Sequence, residues 1–213
     1  MKTCVIIPTY NEAKNIARLL KEIKLQNLDV LVIDDGSSDN TSEVAGNNGA
    51  IVLRNQNNQG KGASLIKGFN YALTSDYDAV ITMDGDGQHL PEDIFYFMRL
   101  AQYSDSAIII GNRMQRTKNM PLMRFITNIF MSWFLSSLAK QKIPDTQCGF
   151  RLIKKDVLQK INLVTRKYET ESEILIKGSR LGFKIESVPI KTVYSDEKSQ
   201  INCVLFKRNC ENL

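Results

Sequence analysis

The chain has 213 residues, 43% of them hydrophobic and 24% charged, which allows one large domain with a buried core and excludes a disordered or fibrous protein. Its net charge of +5 suits an anionic ligand or an anionic membrane surface, and the scattered basic residues, with no stripe interleaved with aromatics, argue against nucleic acid. Four widely spaced cysteines, no C-x-x-C pair and a single histidine leave a Cys/His zinc site poorly supported and point to a reducing, cytosolic compartment.

The N-terminus runs directly into an apolar strand pattern at residues 4–7, which leaves no room for a signal peptide. Further short apolar runs at 30–33, 51–53, 79–83 and 107–110 read as strands. Between them lie helical patterns, with Ile16, Leu19, Leu20 and Ile23 on one helix face and Leu65, Phe69, Ala72 and Leu73 on another. Pro91 with Glu92 and Asp93 marks a helix first turn. Strands alternating with helices predict an α/β fold with a mostly parallel sheet flanked by helices. Ligands of such sheets bind beyond the carboxyl ends of the strands.

Those strand ends carry the chemistry. The first leads into Pro8, Tyr10 and Glu12, and the second into Asp34, Asp35 and Gly36. The third connection, Gly60-Lys61-Gly62, puts glycines and a lysine at a helix start, a pattern suited to an anion. It lacks the P-loop spacing, and no G-x-G-x-x-G fingerprint occurs. The fourth strand ends at Asp84-Gly-Asp86-Gly-Gln88-His89. Asp84 and Asp86 project to one side of extended chain, and a hard divalent cation gripping a diphosphate suits such carboxylates. A polar turn with Asp and Gly in their usual places accounts for the same residues. The fifth strand leads to Arg113. One shared ligand crevice explains acids, glycines and an arginine at several strand ends better than separate capping loops do.

The second half differs. Residues 121–139 are strongly apolar, and their polar side chains Arg124, Asn128, Ser132 and Ser136 fall at i, i+4 steps, one narrow stripe on a helix. This segment reads either as a core helix or as a helix at a membrane interface with its stripe turned to the site. No apolar tract of 18 uninterrupted residues occurs, so no clear membrane span is expected. The segment 168–174 is an acidic helix start, and Val188-Pro-Ile190 reads as an edge strand.

In series, the segments Val5-Ile-Ile-Pro-Thr-Tyr-Asn-Glu12, Val32-Ile-Asp-Asp-Gly-Ser-Ser-Asp39, Gly60-Lys-Gly62, Asp84-Gly-Asp-Gly-Gln-His89, Gly111-Asn-Arg113, Asp145-Thr-Gln-Cys-Gly-Phe-Arg151 and Lys198-Ser-Gln200 resemble glycosyltransferase family 2. Within it they resemble the polyprenyl-phosphate (dolichyl-phosphate) mannosyl- and glucosyltransferases. The resemblance implies a Rossmann-like GT-A fold over residues 1–213, with 1–115 binding a GDP- or UDP-linked sugar and 116–213 the acceptor. It implies Mg²⁺ or Mn²⁺ held by Asp86 and Gln88. Pro8, Tyr10, Glu12, Asp35, Lys61, Asp84 and Lys198 would bind the nucleotide sugar, Lys198 and Ser199 as a loop over its phosphates. Arg113, Arg124 and Asn128 would bind the acceptor phosphate, although relatives often carry serine at the last position.

A phosphate acceptor is already an anion and needs no strong base, so catalysis would rest on Asp86, Arg113 and charge stabilisation. Asp145 and Glu173 are candidates for sugar contacts or base assistance. Direct displacement would invert the anomeric carbon. Many relatives continue into transmembrane helices, whereas this chain stops at Leu213, so either the chain is a shortened version or a peripheral enzyme at the cytoplasmic face of a membrane is expected. The alternative is a family-2 enzyme acting on a sugar hydroxyl. A nucleotidyltransferase would need a different N-terminal loop, and a non-catalytic module would not need the retained acids.

Overall fold

A computed structural model of the protein describes residues 1–115, 117 and 120–193. Lys198, Ser199 and the C-terminal cysteines lie outside the described residues. The described chain forms β1 (Thr3–Thr9), α1 (Ala13–Lys24), β2 (Asp29–Asp34), α2 (Thr41–Asn47), β3 (Ile51–Arg54), α3 (Lys61–Thr74) and β4 (Ala79–Thr82). A 3₁₀ turn at Pro91–Asp93 opens α4 (Ile94–Tyr103), followed by β5 (Ile108–Asn112), α5 (Leu122–Ala139), β6 (Arg151–Lys154), α6 (Lys155–Lys160), α7 (Glu169–Arg180) and β7 (Ile185–Pro189).

The strands form one sheet in the order β3-β2-β1-β4-β6-β5-β7. All pairs are parallel except those of β6, which runs antiparallel to both β4 and β5. Cys4 to Ile7 and Leu31 to Ile33 are fully buried, the continuous apolar run that a strand covered on both faces requires. Helix α1 buries Ile16, Leu19, Leu20 and Ile23 against the sheet. The edge position expected for Pro189 is observed, since among the described residues β7 pairs only with β5. Strand β6 escaped the sequence reading because its sequence, Arg-Leu-Ile-Lys, has only two apolar residues between two charged ends. Its direction matters. Running against its neighbours, it starts at the edge where the parallel strands end, so Gly149 to Arg151 arrive beside Thr82, the end of β4.

Helix α5 is inside out. Its buried positions are Asn128, Ser132, Leu135 and Ala139, whereas Leu122, Met123, Ile126, Phe130, Trp133 and Leu138 are exposed. A core helix is thereby excluded. The polar stripe faces the protein because it has partners there. Ser132 Oγ accepts from the Thr146 amide at 3.0 Å. Ser136 Oγ accepts from the Ile143 amide at 2.9 Å and donates to the Ile143 carbonyl at 3.1 Å. The helix is long and apolar enough to cross a membrane by length and composition.

Candidate active site

The crevice is walled by loops that bind one another. Beyond β1, the Asn11 amide donates to Ser37 Oγ at 2.9 Å and Asn11 Oδ1 accepts from the Ser38 amide at 2.8 Å, joining the first two strand ends. Tyr10 is half exposed at this rim. Asp35 is buried, and its carboxylate accepts from Asn55 Nδ2 and the amides of Gln59 and Gly60 at 2.8–2.9 Å.

This changes the reading of the α3 start. The anion there is Asp35 itself, and the Ala63 amide donates to the Arg166 carbonyl at 2.8 Å. A Cβ on Gly62 would lie 2.1 Å from Thr170 Oγ1 and 2.4 Å from the Lys167 carbonyl, so this glycine exists for the close approach of the 166–170 loop. Two of the backbone donors expected for an external phosphate, the amides of Gly60 and Ala63, are thus used internally, and the cation of this motif, Lys61, points to Asp84 and Glu171.

Lys61 Nζ lies 2.5 Å from Asp84 Oδ1 and 3.3 Å from Glu171 Oε2. Burial works against the ammonium, but the two carboxylates outweigh it and raise its pKa. Burial likewise works against ionised Asp84, and Lys61 reverses this and lowers it. Asp86 is exposed at the crevice mouth and accepts from the Gln88 amide at 3.0 Å. Partial desolvation by its loop, and then the Asp84 charge, raise its pKa. Glu12 is raised as well, by burial first, with Asp86, Asp39 and Asp84 adding to it against the Asn15 hydrogen bond. Lys61 therefore leaves part of the acidic field of Glu12, Asp84 and Asp86 uncompensated. No cluster of three or more His, Cys, Asp or Glu side chains able to hold a metal alone occurs among the described residues. Carboxylate and amide oxygens with spare negative charge fit a hard cation that completes its shell from a ligand.

His89 is buried, its Nδ1 without a partner and its ring 5.2 Å from that of Phe150. Burial lowers its pKa against the pull of Asp84 and Asp86.

At the end of β5, Arg113 donates from Nε to Asp145 Oδ2 at 2.7 Å and from Nη2 to Asp145 Oδ1 at 2.8 Å. Asp145, a candidate for sugar contacts or base assistance, is fully buried with both oxygens on Arg113. The next residue, Thr146, is fastened to Ser132. Asn128 lies one turn before Ser132, its Nδ2 buried without an acceptor, and half-buried Arg124 lies one turn further. The loop 145–146 thus brings Arg113 to the inward stripe of α5.

Glu173 is likewise not free. It accepts from the Thr165 amide and hydroxyl and from the Val164 amide, and pairs with Lys177 at 2.6 Å. The acid of this segment that reaches the crevice is Glu171, which the sequence reading missed along with Arg151. Acids at 169, 171 and 173 alternate, and only the phase of α7 selects among them.

The family model of glycosyl transferase family 2 matches residues 4–162. The chain belongs to this family. A UDP-N-acetylglucosamine–dolichyl-phosphate N-acetylglucosaminyltransferase of Methanococcus voltae is 31% identical to this glycosyltransferase over 215 residues, 90% of this chain and 86% of its own. An undecaprenyl-phosphate mannosyltransferase of Micrococcus luteus is 30% identical over 206 residues, 91% of this chain and 84% of its own. Among solved structures, a glucosyl-3-phosphoglycerate synthase from Mycobacterium tuberculosis with Mn²⁺, UDP-glucose and phosphoglyceric acid superposes with a TM-score of 0.74 at 19% identity, covering 92% of this chain and 72% of that one. The shared fold is GT-A.

Proposed function

We propose that this family-2 glycosyltransferase moves a hexose-type sugar from a nucleoside diphosphate to a polyprenyl phosphate at the cytoplasmic surface of a membrane, with inversion. The observation that carries this reading is the Arg113–Asp145 pair. It presents a guanidinium to the inward stripe of α5, where Asn128 Nδ2 lacks an acceptor, while the outward face of the same helix is apolar and exposed. Guanidinium and amide donors suit a phosphate monoester, and an exposed apolar helix face suits the lipid that carries it. The two relatives named above as transferases to dolichyl and undecaprenyl phosphate support the acceptor class.

In this reading residues 1–115 hold the donor and 116–213 the acceptor. Pro8, Tyr10 and Glu12 line the base and ribose pocket, and Asp35 sets the loop beneath it. Asp86 and Gln88 would hold Mg²⁺ or Mn²⁺, which supplies charge stabilisation to the departing nucleoside diphosphate when bound. Asp84 orients the nucleotide, and Lys61 stands ready to share its charge between Asp84 and the diphosphate. Arg113, Arg124 and Asn128 orient the acceptor phosphate. One of its oxygens attacks the anomeric carbon while the bond to the diphosphate breaks on the opposite side. Because that oxygen is already anionic, no base is required, consistent with Asp145 and Glu173 both being engaged elsewhere.

The test is incubation with Mn²⁺ or Mg²⁺ and a panel of labelled UDP- and GDP-sugars, with and without polyprenyl phosphate. Label entering the lipid fraction supports the reading. Transfer confined to sugar hydroxyls would replace it with the alternative acceptor class.

A further inference from the structure

Arg151 opens β6, is 1% exposed, and is the largest fully buried side chain among the described residues. Its guanidinium donates from Nε to the Cys148 carbonyl at 2.8 Å, from Nη2 to the Thr146 carbonyl at 2.8 Å, and from Nη1 to the Glu171 carbonyl. Among the described residues no carboxylate forms an ion pair with it. A buried cation is costly to desolvate, and an apolar side chain of similar volume would often fill such a space at less cost. What the guanidinium adds is a rigid plane of donors, here spent on two separate segments. Thr146 and Cys148 follow Asp145, which grips Arg113. Glu171 grips Lys61.

We propose that Arg151 is a positioning residue. By clamping the carbonyls of Thr146, Cys148 and Glu171, it fixes the Arg113–Asp145 pair and the Lys61–Glu171 pair in one frame, and so sets the separation at which two phosphate groups are met. The identity of those groups, donor diphosphate and acceptor phosphate, rests on the proposed function.

Two variants test this. Arg151→Lys keeps the charge and loses the fork, and Arg151→Met loses both. Thermal unfolding reports the fold, calorimetric titration with UDP and GDP plus Mn²⁺ reports donor-side affinity, and steady-state kinetics separate KM from kcat. We expect Arg151→Met to weaken nucleoside diphosphate affinity and to raise the acceptor KM by about tenfold each, the worth of one charge-assisted hydrogen bond. Arg151→Lys should recover part of both. A merely structural role lowers the unfolding temperature or the active fraction and leaves the affinities of the folded fraction unchanged, and that result overturns the proposal. Failure of both variants to fold also overturns it, since Arg151 would then act on stability alone. Wild-type protein that transfers nothing to polyprenyl phosphate sinks the acceptor reading, whereas the nucleoside diphosphate titration still decides the role of Arg151.

Discussion

Arg113 meets Asp145 through three donors, its Nε, its Nη2 and its own backbone amide, at 2.7, 2.8 and 3.1 Å. The carboxylate is fully buried and the guanidinium nearly so. Removing one partner of such a pair strands the other, at a cost of about 3–5 kcal/mol. Asp145→Ala is therefore expected to lower the unfolding temperature markedly and to abolish transfer. Asp145→Asn, which keeps an acceptor oxygen, should fold better yet transfer poorly. Equal transfer by Asp145→Asn and wild type would remove the pair from acceptor binding.

Asp86 stands at the mouth with a pKa raised by desolvation and by Asp84. A neutral amide there relieves repulsion and, under the proposed function, removes a ligand for the cation. Asp86→Asn should leave thermal stability unchanged or slightly higher while metal-dependent turnover falls roughly a thousandfold. Titration with Mn²⁺ in the presence of nucleoside diphosphate checks the cause, and undiminished Mn²⁺ affinity would exclude Asp86 as a ligand.

Gly149 is where Asp84, Lys61 and Glu171 converge. A Cβ there would meet Asp84 Oδ2 and Lys61 Nζ at 2.9 Å and Glu171 Oε1 at 3.0 Å. These are ends of side chains that can move aside, so Gly149→Ala should fold. The displaced charges no longer match the donor, and catalysis should fall on the order of a hundredfold. Steady-state kinetics beside a melting curve separate the two effects.

The Glu173 carboxyl carries a pH signature. Burial opposes its ionisation, but Lys177, the Thr165 hydroxyl and the amides of Thr165 and Val164 outweigh it and draw the value from 4.5 down to about 2. A carboxyl with a lower value in the folded state stabilises the fold when ionised in both states, and loses that contribution as pH falls through the folded value. The effect is on the order of 2 kcal/mol. Wild type should therefore melt above Glu173→Gln at pH 7, and the gap should shrink below about pH 4.5 and close near pH 2. A gap independent of pH would refute the assignment.

The outward face of α5 is testable with vesicles. Burying the rings of Phe130 and Trp133 is worth about 3 kcal/mol or more. Replacing both by glutamate should lower partition into anionic vesicles about a hundredfold with little change in melting. Flotation assays read this directly, and equal partition would exclude this face as a membrane contact.

Much of this was legible before the structure because periodicity reports burial. The alternation of apolar runs and helical faces gave the parallel core, and the i, i+4 stripe at Arg124, Asn128, Ser132 and Ser136 left two readings of α5, of which the inward-facing stripe is the one observed. What was not legible depends on contacts between distant segments. Nothing in the residue types says that Asp35 fills the start of α3, that Asp145 is consumed by Arg113, or that Glu171 rather than Glu173 reaches Lys61. A four-residue strand against the grain is likewise set by its neighbours, and with it came Arg151.

Helix α5 has a further consequence. Water penalises its uncovered apolar face. Under the proposed function, a bilayer covering this face would confine the enzyme to the sheet in which a lipid-borne acceptor also moves. The encounter with that acceptor would then become a search in two dimensions, while the small, fast-diffusing donor would arrive from three.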